Sequence, residues 1–296
     1  MRTFDCFMYF DEEIVLDTRL NYLDKYVDYF VIIESCFTHK GDKRALKFDI
    51  NKFEKFKNKI IYKIYNETPT EIQKVHEKDN EATKSTKYIM NALYRENGQR
   101  NYIREGIKEA KDEDIILISD VDEIPNLSNI DIKKIKERII LFKQDMFYYK
   151  FNLQLPNMKW TGTKACRKKN FVNAQWLRNI KDRKYSFFRI DTLFSDKKFI
   201  SVNIINNGGW HFSNIKSAEE IEHKLKSYLH HREFDLEPLN TQDIKKIMEN
   251  KQAIYDLRVD KTINKIGWGE KLEKYNLENL PDTIKLNLNK YKEWLD

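Results

Sequence analysis

The chain has 296 residues, of which 41% are hydrophobic, 13% aromatic and 34% charged, and its net charge is +7. This length permits one large α/β domain or two small ones, and the apolar content excludes a disordered chain. The basic residues are spread along the chain, so we expect no nucleic-acid partner. The cysteines Cys6, Cys36 and Cys166 form no CxxC pair and predict free thiols in a reducing compartment.

No transmembrane segment is expected, because the apolar runs are far shorter than the roughly 18 residues that a spanning helix needs. The first residues, "MRTFDCFMYFDEEIVLD", meet acidic side chains at once and lack the apolar core of a signal peptide. We therefore expect a cytoplasmic protein, and attachment to a membrane surface is compatible with this expectation.

Short apolar strands alternate with helical segments in the first part of the chain. β-Branched and aromatic residues predict strands over residues 2–10, 28–35, 59–65 and 114–119. Apolar residues at helical spacing predict helices over roughly 12–26 and 99–111, and in parts of 71–98. This alternation predicts an α/β fold with a mostly parallel, doubly wound sheet flanked by helices.

The middle of the chain is rich in strand-like stretches, and its last part is helical and charged. Strands are predicted at "DMFYYKF", "YSFFRID" and "KFISVNII". Before them, "SNIDIKKIKERIILF" is expected to form a helix, with Ser128 and Asp131 as a loose capping box. Helices are expected from Ser217 onward, and the first of them begins with a full capping box of Ser217 and Glu220.

The stretch "IILISDVDEIP" (115–125) places Asp120, Asp122 and Glu123 directly after an apolar strand. Ligands of open α/β sheets bind beyond the carboxyl ends of the strands, so Asp120 and Asp122 reach one point just outside the sheet. Clustered carboxylates repel each other unless a cation lies between them, and oxygen ligands suit Mg²⁺ or Mn²⁺. The alternative is a solvated turn whose aspartates cap a following helix.

Three kinds of metal chemistry are compatible with this motif. The first is sugar transfer from a nucleotide-sugar, in which the cation binds the diphosphate. The second is a haloacid-dehalogenase-like Mg-dependent phosphatase, although that class carries its DxD near the N-terminus, whereas here the motif begins at Asp120. The third is a non-catalytic glycan-binding protein, which the long nucleotide-binding-like part before the motif argues against.

Three segments resemble glycosyltransferase family 17, the β-1,4-mannosyl-glycoprotein 4-β-N-acetylglucosaminyltransferase family. They are "RLNYLDKYVDYFVIIESCFTHKGDKRALKF" (19–48), "QRNYIREGIKEAKDEDIILISDVDEIP" (99–125) and "GGWHFS" (208–213). The resemblance implies a GT-A glycosyltransferase fold, a UDP-sugar donor (UDP-GlcNAc by family precedent), a glycan acceptor and an inverting reaction. It also implies that Asp120-Val121-Asp122 is the DxD motif that binds the metal–diphosphate.

On this resemblance we expect a single GT-A catalytic domain over residues 1–296. Residues 1–125 are the expected nucleotide-sugar-binding half, 126–215 the acceptor-facing half and 216–296 a helical C-terminal region. Animal members of the family carry a membrane anchor, and this sequence begins directly at the first predicted strand. We therefore expect a bacterial or viral enzyme that acts on a free, lipid-linked or protein-linked glycan from the cytoplasmic side.

The segment "GGWHFS" supplies a further metal candidate beside the two aspartates. A neutral His211 imidazole is a good Mn²⁺ ligand or a donor to the diphosphate, and the Trp210 ring suits stacking on the sugar or the uracil. Gly208 and Gly209 would let the backbone approach a ligand closely. The alternative is a strand end with a hydrogen-bonded histidine and a core tryptophan.

Donor-binding candidates precede the motif. Glu34 ends the second predicted strand, where its carboxylate suits the uracil or the ribose. Arg100 and Asn101 open the helix before the DxD strand, and Arg100 is expected to pair with phosphate or with a motif aspartate, unless it forms a surface salt bridge. Lys40 and Lys43 are weaker phosphate candidates.

Inversion requires a general base that deprotonates the acceptor hydroxyl, and the sequence does not single one out. Asp191 and Glu219 are the candidates for this base. "WTGT" (160–163), together with Arg167, is expected to line the acceptor site. The other histidines lie in polar stretches and are expected to be solvated: His39, His76, His223, His230 and His231.

Overall fold

The computed structural model of the chain shows a sheet of ten strands with helices packed against it. It describes residues 1–186, 188–192, 194–199, 201–228, 231–236, 238–254 and 269–296. His230 therefore lies outside the described residues.

Four parallel strands form the first part of the sheet. They are β1 (Thr3–Tyr9), β2 (Tyr29–Ser35), β3 (Ile60–Tyr65) and β4 (Ile115–Asp120), in the order β3-β2-β1-β4. The helices between them are α1 (Glu13–Leu23), α2 (Glu81–Asn101) and α3 (Ile103–Gly106). All four predicted strands and the α/β, Rossmann-like alternation are confirmed. The helix expected over 99–111 is only the end of α2 followed by the short α3.

The parallel strands are buried on both faces. Along β4, Ile115 and Leu117 pack into the apolar cluster that contains α1, whereas Ile116 and Ile118 pack into the cluster that contains α3. A strand covered on both sides needs apolar residues at every position. This explains why the residues before the carboxylate motif form an uninterrupted apolar run.

The second part of the sheet is mixed. Its elements are β5 (Glu123–Pro125), β6 (Ile139–Tyr148), β7 (Leu153–Arg167), α4 (Ala174–Asn179), β8 (Val202–Ile205) and β9 (Gly209–Ser213). β7 joins the two parts, because it is antiparallel to both β4 and β6. β9 is parallel to β6 and antiparallel to β5, with Glu123 opposite His211. The carboxylate motif and the "GGWHFS" strand are therefore direct neighbours.

The described residues after Ser217 contain mostly helices and one short strand, in agreement with the predicted helical C-terminal part. Its elements are α5 (Ala218–Ser227), α6 (His231–Leu236), α7 (Thr241–Glu249), β10 (Glu273–Lys274), α8 (Asp282–Lys285) and α9 (Leu288–Tyr291). The capping box of Ser217 and Glu220 is present at the start of α5, with bonds of 3.2 and 2.8 Å. In the described part of the chain, no helix combines the length and the apolar content needed to cross a bilayer.

Two predicted elements are wrong. In the described residues after Ser128, a single 3₁₀ turn over Ile132–Lys134 replaces the expected helix, and Ile139 already begins β6. The buried run 139–142 pairs with β7 and β8, so sheet pairing of β-branched residues overrides helical spacing. The described residues of "YSFFRID" form no strand and contain the start of a 3₁₀ turn over Ile190–Thr192.

A buried ion pair fixes the turn that follows β4. Arg19 of α1 and Asp5 of β1 are both fully buried, and Nε and Nη2 of Arg19 donate to the two carboxylate oxygens at 2.8 and 2.6 Å. Nη1 donates to the backbone carbonyls of Asp120, Val121 and Glu123 at 3.2, 3.2 and 2.8 Å. The rigid guanidinium fork therefore determines the backbone path of the motif.

We predict that Arg19→Met lowers the free energy of unfolding by about 3–5 kcal/mol, because it leaves the Asp5 carboxylate buried without a partner. Denaturant unfolding followed by circular dichroism measures the change. The double variant Arg19→Met/Asp5→Asn is expected to recover part of the loss, because no unpaired charge then stays buried.

The matched control is Arg104→Met, since the Arg104 side chain is 72% exposed. This control is expected to change the free energy of unfolding by less than about 0.5 kcal/mol. Equal stability of the Arg19 and Arg104 variants would contradict a structural role for the buried pair.

Candidate active site

A cavity of about 320 Å³ lies at the carboxyl edge of β1, β2 and β4. Its lining comes from the ends of these strands and from α2, α5, β7 and β9. The charged and polar lining residues include Glu12, His39, Arg44, Glu96, Gln99, Arg100, Asp120, Asp122, Trp160, His211 and Lys224. The structure thus brings four of the predicted site residues, from three separate segments, to one cavity.

Asp120 ends β4 between two arginines. Its carboxylate oxygens accept from Nη2 of Arg100 at 3.1 Å and from Nη2 of Arg178 at 2.9 Å. Burial disfavours the charged carboxylate, but the Arg178 and Arg100 guanidinium groups outweigh it and hold the pKa of Asp120 well below its usual range. Asp120 is therefore ionised at any physiological pH.

The Glu123 side chain is buried and hydrogen-bonded within the protein, and it is not part of the cavity lining. One of its oxygens accepts from Trp160 Nε1 at 2.6 Å, and the other accepts from the Asp120 N–H at 2.8 Å. Arg178 donates to both oxygens, at 2.6 and 3.0 Å. No helix begins at this point, because the residue starts β5. Glu123 therefore caps no helix, and its buried carboxylate binds Arg178 instead.

Arg178 is positioned in turn by a buried lysine. It lies in α4, which begins after Asn173, whose side chain accepts from the Trp176 N–H. Nζ of Lys164 on β7 donates to the backbone carbonyls of Arg178 and Ile180. Burial, followed by repulsion from the Arg178 guanidinium, lowers the pKa of Lys164 to about 7. A neutral amine can supply these two hydrogen bonds without a buried charge.

Asp122 and His211 face each other across the β5–β9 pair. Nε2 of His211 lies 3.5 Å from Oδ1 of Asp122, and the Trp160 ring centroid lies 5.6 Å from that of His211. Burial opposes protonation of His211, but Asp122 outweighs this effect and raises the pKa of the imidazole. Nδ1 of His211 is buried and has no hydrogen-bond partner among the described residues.

The two glycines before His211 serve strand packing. Gly209 has a φ of 123°, and a Cβ there would lie 2.1 Å from the carbonyl oxygen of Ile124. A Cβ on Gly208 would lie 2.7 Å from the Lys143 nitrogen. Both positions exclude side chains because neighbouring strands come close, so the expectation of a close approach to a ligand is wrong.

Lys224 of α5 connects the C-terminal region to the motif. Its Nζ lies 3.9 Å from Oδ2 of Asp122 and 3.9 Å from Oε1 of Glu12. Burial raises the pKa of Asp122, but His211 and then Lys224 more than offset this and lower it. The cavity therefore presents an ionised carboxylate pair with cationic side chains around it.

The donor atoms suit a cation that is shared with a phosphate ligand. Within the described residues, no group of three or more His, Cys, Asp or Glu side chains is gathered closely enough to bind a metal alone. The Asp120 side chain is 36% exposed, and a carboxylate has more lone pairs than its two guanidinium bonds use. Mg²⁺ sites commonly combine one or two carboxylates with phosphate oxygens and water.

The sequence profile described as Glycosyltransferase family 17 matches residues 1–295, which is nearly the whole chain. The chain belongs to glycosyltransferase family 17. It is therefore a glycosyltransferase, with a sugar donor and a glycan acceptor. Its Rossmann-like fold agrees with the GT-A architecture that the resemblance implied, and membership favours sugar transfer over the phosphatase and glycan-binding alternatives. The comparison with curated proteins gave no match.

Glu34 of this glycosyltransferase is fully buried and lies outside the cavity lining. Its carboxylate accepts from the backbone N–H groups of Lys47 and Phe48 at 2.6 and 3.1 Å and from the Tyr62 hydroxyl at 2.8 Å. It also pairs with Arg44 at 3.0 Å. These contacts fix the loop after β2 and leave little of the carboxylate for a ligand.

Trp210 and Asn101 also lie outside the cavity lining. Trp210 packs edge-on against Tyr22, and its Nε1 donates to the Asn279 carbonyl at 3.0 Å, so its environment is that of a core tryptophan. Asn101 ends α2 rather than opening a helix, and its side chain accepts from the Gln175 N–H at 3.0 Å.

The two base candidates are exposed and paired with lysine or arginine. Asp191 pairs with Arg189 at 2.7 Å and Lys198 at 2.8 Å, and these hydrogen bonds lower its pKa. Glu219 pairs with Lys245 at 2.7 Å, and this hydrogen bond is the main cause that lowers its pKa to about 2. Neither residue lines the cavity, and a low pKa is unfavourable for a general base.

The residues that were expected to line the acceptor site, "WTGT" and Arg167, lie in different places. Trp160 lines the cavity, whereas Arg167 lies at the other end of the sheet, where it pairs in register with Ile115. Lys40 binds Asp235 at 3.3 Å.

Sequence reasoning missed several residues of the site. Arg178, Lys164 and Lys224 carried no local signal, because they reach the motif only through the pairing of β7 with β4 and the packing of α5. The expectation of solvated histidines is wrong for His231, which is 1% exposed, and His39 is half-buried at the cavity wall.

We predict that Lys164 makes stability rise with pH between about 7 and 10. The unfolded chain binds a proton on this lysine up to a pKa of about 10.4, whereas the folded chain has lost it above about 7. Each pH unit in this window therefore adds up to about 1.4 kcal/mol to the free energy of unfolding. Lys164→Met is expected to flatten that rise in urea unfolding measured from pH 7 to 9.5.

The control is Lys169→Met, whose lysine has a 48% exposed side chain and should leave the pH slope unchanged. A Lys164 variant with the slope of the wild type would show that the buried amine keeps its ordinary pKa.

Proposed function

We propose that this glycosyltransferase transfers GlcNAc from UDP-GlcNAc to a glycan hydroxyl with inversion, with the help of a divalent cation. The observation that carries the proposal is the pair Asp120 and Asp122 at the carboxyl edge of the parallel strands, within the cavity. The family resemblance supports the uridine nucleotide, the sugar and the inversion.

The donor diphosphate fits the charge pattern of the cavity. Arg100 and Lys224 line it from opposite elements, α2 and α5. Both cations stand beside the motif carboxylates, at 3.1 Å from Asp120 and 3.9 Å from Asp122. A diphosphate can bind there only if the net charge at the motif is positive, because carboxylate and phosphate repel each other.

A divalent cation would supply that positive charge. Asp120, Asp122 and His211 are the residues that would bind it, and diphosphate oxygens would have to complete the ligand set because these side chains do not form a metal site by themselves. Nδ1 of His211 is buried and has no hydrogen-bond partner among the described residues. Mn²⁺ and Mg²⁺ both suit these donors. When bound, the cation neutralises charge on the departing UDP.

The chain's own residues position the leaving group. Arg100 and Arg178 hold the Asp120 carboxylate from two sides, and Glu123 holds Arg178, so the motif needs little rearrangement when substrate arrives. Such preorganisation lowers the reorganisation that the reaction itself requires.

We also propose a reducing compartment, supported by the free thiols of all three cysteines.

We predict that UDP-GlcNAc raises the melting temperature only together with Mn²⁺ or Mg²⁺. Ligand at a hundred times its dissociation constant stabilises the folded state by about 2.7 kcal/mol, which is a shift of roughly 4–5 °C for a chain of this size. Transfer is followed in parallel by release of UDP in the presence of glycan acceptors. Asp122→Asn, which keeps the side-chain shape, is expected to lose the shift and to lower the transfer rate at least about 100-fold.

The matched control is Asp112→Asn, which changes an exposed aspartate in the turn before β4. This variant should behave like the wild type. An equal transfer rate with and without metal would refute the requirement for a cation. A rise in melting temperature with another nucleotide-sugar, and not with UDP-GlcNAc, would show that this other compound is the donor. Phosphate release from simple esters without nucleotide would instead favour the phosphatase alternative.

A further inference from the structure

The loop after β2 fixes one histidine at the cavity wall. An antiparallel bridge closes residues 37–43, and the Thr38 N–H donates to the Asp42 carbonyl at 2.8 Å. Nη1 of Arg95, on α2, donates to the backbone carbonyl of His39 at 3.2 Å. The His39 ring is therefore carried by a loop whose backbone is bound on both sides.

The ring of His39 has one defined partner, Gln99. The side-chain nitrogen of Gln99 donates to the backbone carbonyl of Ile33 at 3.1 Å, and its oxygen lies 3.2 Å from Nε2 of His39. A flipped amide would place two carbonyl oxygens against each other, so the Ile33 carbonyl fixes the amide orientation. Because the Gln99 oxygen only accepts, Nε2 of His39 must carry a proton.

The other ring nitrogen of His39 is then an acceptor. Burial lowers the pKa of His39, which favours the neutral ring. In a neutral imidazole one nitrogen donates and the other accepts, so protonated Nε2 leaves Nδ1 with a free lone pair. Among the described residues no group hydrogen-bonds to Nδ1, and the ring lines the cavity.

We propose that Nδ1 of His39 accepts a hydrogen bond from the N3–H group of the donor's uracil and thereby selects a uridine nucleotide. This inference rests on the proposed function. A neutral acceptor cannot bind phosphate oxygens, which are acceptors themselves. It requires an N–H or O–H donor. Uracil offers one at N3, whereas cytosine has an acceptor at N3 and donates from its 4-amino group instead.

The position of His39 fits the nucleobase end of the donor. His39 follows β2, whereas Asp120 ends β4, and β1 lies between these two strands. The strands β2 and β4 are two strand spacings apart, which is about 10 Å. If the diphosphate lies at the carboxylate motif, the base can therefore reach His39. The same cavity is lined by the ring of Phe37, whereas the ring of Phe10 is already covered by the Arg44 guanidinium, 4.3 Å from its centroid.

The test is calorimetric titration of wild type and His39→Ala with UDP, N3-methyl-UDP and 2′-deoxy-UDP in the presence of Mn²⁺. The wild type is expected to bind UDP at least about 10-fold more tightly than N3-methyl-UDP, because the methylated base leaves the acceptor unpaired. His39→Ala is expected to bind both within twofold. His76→Ala, which removes an exposed histidine, is the matched control and should behave like the wild type.

A measurement on the wild type alone keeps the proposal falsifiable if His39→Ala does not fold. In ¹⁵N spectra of histidine-labelled protein, the His39 ring should appear as the neutral Nε2–H tautomer. UDP should shift its Nδ1 resonance, and N3-methyl-UDP should not. A purely structural histidine would show no such difference.

The outcomes separate this inference from the proposed function. Equal wild-type affinity for UDP and N3-methyl-UDP, or a preference that persists in His39→Ala, overturns the role of His39 and leaves the transferase intact. A loss of affinity only for 2′-deoxy-UDP, abolished in His39→Ala, would assign Nδ1 to the ribose and overturn uracil selection. No binding of UDP to the wild type would overturn both.

Discussion

The buried pairing of Arg19 with Asp5 is the interaction on which the rest of the site depends. It joins α1 to the central strand β1, and Nη2 of Arg19 reaches Ser119 as well, at 3.0 Å. The remaining N–H groups bind the carbonyls of the turn after β4. Charged hydrogen bonds in a dry environment are strong and directional, so one helix residue defines where the functional carboxylates stand.

Around that turn, the carboxylates of Asp120 and Glu123 have cationic or N–H partners from distant parts of the chain. Asp120 binds arginines from α2 and α4, and Glu123 binds the α4 arginine and the Trp160 indole. Without these partners, the carboxylates would take up protons rather than stay charged. The fold therefore stabilises a local excess of negative charge before any ligand is present.

The sequence predicted the parts of the site that follow from local pattern. A buried strand that ends in carboxylates located Asp120, and the segment "GGWHFS" located His211. Arg178 could not be predicted, because its approach depends on antiparallel pairing far along the chain. Trp210 and Glu34 were interpreted as ligand contacts because their residue types suit sugars and nucleotides. Only tertiary packing shows that a backbone carbonyl and backbone amides already satisfy them.

Lys224 of α5 lies between two carboxylates of the site. Its amine is the shared counter-ion of Glu12, after β1, and Asp122, after β4. Without α5, these two acidic groups from residues 1–125 would face each other without that charge. Residues 216–296 are thus part of the electrostatics of the site, and a shortened chain that kept every strand of the parallel sheet would have a different affinity for anions.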